Sequence, residues 1–453
     1  MGRKALQDTT NLTEGPITRA LVLFALPFFG SSLIQQLYNT VDLMFVGRLL
    51  GKDASAAVGA GSLLITCMLG LFTGLSVGVG VVTANAFGSG DLQKVKRVIH
   101  TAASITLLGG GAMMALSIAL TPTFLRWLRV PESIFPLAVT YIRIYFLSLL
   151  SIIAYNMSAG ILRALGNSRT PMLYQFFGGL ANVLGNTLFI YVLRWGVRGA
   201  AAATFLSQGV AALLTVRKVC RLDERYRLRF REIAPEPALV RDIFAVGLPA
   251  AVQSMVITFS NLIIQSRING LGVDSIAAFT AYFKVENFVY LPILSFGQAN
   301  TTFCGQNTGA GRPERARKGT RVALVLGVAI TVAISAALLI FHDFAFGLFT
   351  NDASVVELGA SIARITFPFY FLYVFLEVLS SAIRGAGKSL PPMVIILLNS
   401  CVLRVAILQL IMTVNPSVQG VALVYPITWA GNVLCLSLYY FLGHWMPAQK
   451  VAG

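Results

Sequence analysis

Three carboxylates lie inside long apolar stretches, where a charge is costly: of 18 acidic residues only Asp42, Glu286 and Glu377 do so. Four bases share that setting, Arg143, Lys284, Arg364 and Arg404. Each costs about 2.5–3.5 kcal/mol at the centre of a membrane-crossing helix, so such groups face an interior and either pair or carry function. Asp42 has the best neighbourhood for holding an ion. It lies six residues before Arg48, Asn186 lies eight before Arg194, and Thr204 lies six after Arg198. At about 1.5 Å per residue the three fall at similar depth. Asn182, four residues before Asn186, shares its helix face. A carboxylate, two amides and a hydroxyl make an all-oxygen set for a small hard cation, or a proton carrier with hydrogen-bonding support. The plainer alternative is that Asp42 pairs with Arg143 or binds buried amides.

Lys284, Glu286 and Arg364 fall near mid-membrane, ten to twelve residues from the outer ends of their stretches. Lys284 and Glu286 are two apart and so point to different sides of one helix, which makes them poor partners. A pair of Glu286 with Arg364 is the structural alternative to a functional role. Glu377 lies seven residues before Arg384. With Arg404, three bases meet two acids, a balance that suits an anionic or zwitterionic ligand at least as well as a cation. Tyr38 beside Asn39, Tyr282, Phe288, Tyr290, Phe369, Tyr370 and Tyr373 offer flat surface with few polar demands. Gln35, Gln36, Gln253, Gln265 and Gln298 are polar lining of the same kind.

These side chains need helices to position them. The chain is 56% hydrophobic and 12% charged over 453 residues, which excludes an ordinary soluble domain. Runs long enough to cross a bilayer fall at 17–45, 54–86, 98–124, 133–162, 170–193 and 198–217, then at 243–268, 275–304, 319–342, 355–383, 392–413 and 420–443. Continuous apolar runs exclude a β-barrel. The expected fold is an all-α polytopic membrane protein of twelve helices in two six-helix lobes.

The lobes are copies. Arg163, Gly166, Ser168, Pro171 and Met172 recur 221 positions later as Arg384, Gly387, Ser389, Pro392 and Met393. The same offset joins Arg143 to Arg364, Asp53 to Asp274, Gly88 and Gly90 to Gly309 and Gly311, and Gly199 to Gly420. Six helices per copy give a parallel repeat, with residues 1–216 and 239–453 as lobes and 217–238 as a cytoplasmic linker. The repeat breaks at the buried charges. Ile263 stands opposite Asp42, and Leu63, Ile65 and Asn156 stand opposite Lys284, Glu286 and Glu377. Pro27 and Pro249, inside the first and seventh spans, mark bendable helices.

With the N-terminus inside, inner segments hold about 24 Lys and Arg against about seven in outer loops. This positive-inside bias places both termini in the cytoplasm. It accounts for the net charge of +17 without nucleic acid, the cluster Arg217–Arg241 being a solvated stretch near anionic lipid headgroups. No signal peptide is expected in the polar first sixteen residues.

The stretch LYNTVDLMFVGRLLG (37–51), the paired RALGNSRTPM and RGAGKSLPPM, and FCGQNTGAG (303–311) resemble the multidrug and toxic compound extrusion (MATE) transporters, most of all bacterial members with QQLYNTVD in the first helix. The resemblance spans essentially the whole chain. It implies a membrane antiporter, monomeric, that exports small organic molecules by alternating access of a cleft between lobes, while protons or sodium ions run inward. It also implies that helices one, five and six meet around a cation site, onto which Asp42, Asn182 and Thr204 map. Asn186 departs from the pattern, which has aspartate there, and this implies weaker sodium binding. A lipid-linked or polar precursor flippase of the same superfamily is the alternative, and a passive channel a further one.

Enzyme signatures fail. RGAGKS (384–389) lacks the first glycine of a Walker A loop, and its copy reads RALGNS. GSGD (88–91) offers one carboxylate where an aspartyl protease needs two. His100, His342 and His444 are far apart, and the five cysteines have no metal or redox spacing. No cofactor or metal centre is expected beyond the coupling ion.

Overall fold

A computed structural model of the chain describes residues 11–350 and 352–446, without the side chains of Leu43, Arg48 and Leu63. The placement of both chain termini, most of the sixteen-residue leader and the Arg48 side chain used as a depth marker lie outside the described residues. Among the described residues every regular element is helical. Backbone in lipid must satisfy its own hydrogen bonds, and a helix does so within one segment.

The first helix runs Ile17–Phe45, then a π turn Val46–Leu50 and a short helix Gly51–Ala60. The second is Ser62–Gly88, the third Leu92–Trp127 and the fourth Phe135–Ala164. The fifth is Arg169–Asn186 continued by a π turn Thr187–Val192, and the sixth is Val197–Cys220. The seventh, Pro237–Asn269, and eighth, Val273–Gly309, are the longest unbroken helices. The ninth is Pro313–Ile340, the tenth Ala353–Gly385, the eleventh Leu390–Val414 and the twelfth Val418–Leu442. Ten are long and apolar enough to cross a membrane by composition alone. The fifth and eighth fall short because they carry polar groups, among them Gln175, Asn182 and Asn186 on one and Lys284, Glu286 and Asn287 on the other.

Leu26–Ala251 form one compact unit, and Leu12–Ala25 with the residues from Val252 onward form a second. The segment expected as a linker, 217–238, thus packs within the first unit. Phe72, Tyr141, Phe146, Ile153 and Leu162 belong to that unit's core. In the second unit Phe303 and Phe346 are fully buried, and a Cβ at Gly319 or Gly359 would fall 2.1 or 2.7 Å from their rings. Leu108, Leu213, Val325 and Leu410 are largely exposed, as expected of helix faces turned to lipid. The repeated turns need glycine: Gly90 and Gly311 have φ of +75° and +67°, and Gly166 and Gly387 both have +88°. Asp91, from the protease-like motif, caps the third helix by accepting from the Lys94 amide at 2.8 Å.

Each unit carries a strap made by the chain leading into a first or seventh helix. In the first unit, Glu232 meets Lys96 at 2.5 Å, Glu236 meets Arg97 at 3.0 Å, and the Arg229 amide donates to His100 Nε2 at 3.2 Å. In the second, the Leu12 amide donates to Gln306 Oε1 at 3.3 Å, Asn307 Nδ2 donates to the Leu12 carbonyl at 3.1 Å, and Arg315 donates to the Glu14 carbonyl at 2.7 Å.

Candidate functional site

The first unit brings Asp42 to the fifth helix. Asn186 Nδ2 donates to Asp42 Oδ1 at 2.8 Å and to Asn182 Oδ1 at 3.1 Å, and the Asn182 amide also neighbours the carboxylate. The spacing of four between the asparagines puts both on one face, and the π turn begins directly after Asn186. Such turns re-aim side chains and recur at functional sites. Asn182 and Asn186 are buried, and Asn186 Oδ1 has no hydrogen-bond partner. A buried orphan acceptor beside a carboxylate is an open seat for a proton donor or a cation. Thr204 does not join this set by a hydrogen bond: its hydroxyl donates to the Ala200 carbonyl of its own helix at 3.2 Å. Nor does Asp42 pair with Arg143, whose Nε donates to the Ile118 carbonyl at 3.3 Å.

One turn before Asp42, Tyr38 lines a polar cavity of about 270 Å³ with Gln35, Asn39, Asn156, Gln175 and Gln208. Gln175 and Gln208 are hydrogen-bonding neighbours of the Tyr38 hydroxyl. Gln175 was not singled out from sequence, although it lies seven residues before Asn182 on the same helical stripe.

The second unit holds an aromatic cavity of about 300 Å³. Glu286, Tyr290, Tyr370 and Tyr373, all expected at a cleft, line it together with Arg404 and Trp429. The Tyr370 hydroxyl donates to Glu286 Oε1, and Tyr373 donates to the Tyr290 hydroxyl at 3.4 Å. Trp429 packs edge-on to Tyr370 and Tyr373, with ring centroids 4.7 and 5.7 Å apart. Arg404 is buried and held by neutral groups: Thr428 Oγ1 at 3.3 Å, Asn261 Oδ1 at 3.4 Å and Ser260 Oγ at 3.5 Å. It also lies 5.3 Å from the Tyr425 ring centroid. A π turn, Leu398–Leu403, precedes it directly. Trp429, Tyr425 and Asn287 were missed from sequence; Tyr425 and Trp429, four apart, carry the only available signal, a shared helix face.

Other expected lining residues stand elsewhere. Lys284 is exposed with its ammonium 5.5 Å from the Phe349 ring centroid, because a residue two positions from Glu286 must face another way. Arg364 does not reach Glu286; it bonds Glu357 Oε1 at 2.9 Å and His342 Nε2 at 3.3 Å on an exposed face. Tyr282 is fully buried in the core and donates to Thr366 Oγ1 at 2.9 Å. Glu377 is buried against Gly297, whose missing Cβ leaves room for its carboxylate. Gln253 and Gln298 do not line this cavity, Gln265 donates to Asn269 Oδ1 at 2.9 Å, and Phe288 and Phe369 are exposed. Among the described residues no cluster of His, Cys, Asp and Glu suits a metal ion.

Comparison with known proteins adds a consistent picture. The family model described as MatE matches residues 27–188 and again 249–409. The "probable multidrug resistance protein YpnP" of Bacillus subtilis is 29% identical over 439 residues, covering 96% of this chain and 97% of that protein. The "multidrug export protein MepA" of Staphylococcus aureus is 23% identical over 385 residues, covering 83% and 84%. A multidrug resistance MATE family transporter of the MOP superfamily, solved in an outward-facing conformation, superposes with a TM-score of 0.87 at 25% identity, covering 96% of this chain and 97% of that one.

Proposed function

The chain belongs to the MatE family of multi-pass membrane transporters, and from that premise we propose an antiporter that exports small organic compounds against an inward flow of protons or sodium ions. The multidrug export ascribed by name to its relatives is carried over on the same footing. Both termini and the linker 217–238 face the cytoplasm, the lobes 1–216 and 239–453 alternate access as a monomer in lipid, and no cofactor takes part.

The observation that carries the coupling role is Asp42. It is an acid within a membrane helix, and the neutral Asn186 amide donates to it at 2.8 Å. Among the described residues its hydrogen-bond partners are neutral amides, so a proton or a cation stabilises the charge in a membrane interior. For a proton, Asp42 is itself the carrier, and Asn186 Nδ2 holds the deprotonated state. For sodium, the Asn186 amide must turn so that its unpartnered Oδ1, with Asn182 Oδ1 and the carboxylate, faces the ion. A single carboxylate meets the needs of a proton more fully than those of sodium.

The test is substrate flux in proteoliposomes under separately imposed proton and sodium gradients. Asp42→Asn, an isostere that cannot ionise, is expected to abolish gradient-driven export while the protein still folds. Full gradient-driven flux by that variant refutes the role of Asp42. Flux that persists without any gradient favours a passive channel, and transport of lipid-linked precursors alone favours a flippase.

A further inference from the structure

We propose that the aromatic cavity of the second unit binds a zwitterionic aromatic molecule about the size of an aromatic amino acid, with its ammonium at Glu286 and its carboxylate at Arg404. That the bound molecule is cargo rests on the transporter reading; that it binds rests on the cavity alone.

Two opposite charges line one cavity of about 300 Å³, Arg404 buried and Glu286 half-buried, and do not pair with each other. In a low-dielectric interior their attraction is strong, so they stay apart only where other groups hold them. Tyr370 holds Glu286 by its hydroxyl, and Thr428, Asn261 and Ser260 hold Arg404. All of these partners are neutral. Each charge therefore keeps unspent attraction directed into the cavity. A ligand of one sign satisfies one charge and is repelled by the other, whereas a zwitterion neutralises both. Tyr290, Tyr373 and Trp429 supply the remaining wall, with Tyr290 and Tyr373 centroids 5.4 Å apart, and ring faces of this kind favour a flat aromatic body. The volume is at the lower end for small-molecule sites and suits one or two fused rings. Asn261 is exposed while bonded to Arg404, so the cavity opens beside the seventh helix.

The test uses the purified full-length protein in lipid nanodiscs, with no ion gradient, and four radiolabelled indoles: tryptophan (zwitterion), tryptamine (cation), indole-3-propionate (anion) and indole (neutral). Tryptophan is expected to bind at least about tenfold more tightly than each of the others. Glu286→Gln is expected to shift preference towards indole-3-propionate, and Arg404→Gln towards tryptamine. Opposite shifts cannot come from loss of folding, which weakens every probe alike. The proposal is overturned if tryptophan shows no saturable binding, or if the unmodified protein binds tryptamine, indole-3-propionate or indole as tightly. The unmodified series alone decides this even where a variant fails to fold. Saturable tryptophan binding without flux under either gradient leaves the site standing and sinks the transporter reading. Gradient-driven export without such binding does the reverse.

Discussion

Arg143 is spent on a backbone defect that one residue creates. Pro122 lies inside the third helix and has no N–H, so the carbonyl four residues back, Ile118, loses its helical partner. The Arg143 guanidinium donates to that carbonyl at 3.3 Å. Arg143 is exposed rather than interior as expected from sequence; on a face covered by lipid, an unpaired acceptor costs about 1–3 kcal/mol. Arg143→Ala is therefore expected to destabilise the protein by roughly that amount. In a Pro122→Ala background, which restores the amide, the same change should cost little. Thermal unfolding of the four proteins in one detergent measures the coupling, and additive effects contradict it. Asp42 is held differently: among the described residues its hydrogen-bond partners are the neutral amides of Asn186 and Asn182.

At the scale of elements, two irregular turns adjoin polar residues of the candidate sites. The fifth and eighth helices, too polar to pass as membrane spans by composition, carry Asn182, Asn186 and Glu286. The π turns in the fifth and eleventh helices adjoin Asn186 and Arg404. The lead-in straps are irregular as well. Lys96 beside Glu232 holds that carboxyl below the usual carboxylate range. A depressed carboxylate contributes stability above its ordinary pKa and loses it as pH falls through the lowered one. Hydrogen exchange across residues 229–236 should therefore be faster in Glu232→Gln than in the parent at pH about 7, and the difference should shrink as pH falls through the lowered pKa. A difference independent of pH would assign the strap's stability to packing instead.

For the whole molecule, the family model's two matches and the paired positive-φ glycines describe a duplicated scaffold. The charges are placed on it unequally: the acid with neutral amides belongs to the first unit, and the acid and base facing one cavity belong to the second. The proposed orientation rests on the positive-inside bias and is open to direct measurement. In a variant without native cysteines, Glu132→Cys is expected to react with an impermeant thiol reagent in intact cells. Arg225→Cys should react only after permeabilisation. The reverse pattern inverts the proposed topology.

Sequence alone determined the helical class, the twelve runs, the repeat and which charges fall within those runs, because each depends on composition or on distance along the chain. It also placed Asp42, Asn186 and Thr204 at similar depth and Asn182 on the face of Asn186, since rise per residue is nearly constant in a helix. It could not say which way a side chain points about the helix axis once neighbours pack. That angle separated Glu286, in the cavity, from Lys284, two residues away and outside it. It turned Arg364 to Glu357, Thr204 to its own helix and Tyr282 into the core. It also brought Arg404 from the eleventh helix and Trp429 from the twelfth to a carboxylate on the eighth. Such meetings join residues more than a hundred positions apart, and only the packing of the helices against one another fixes them.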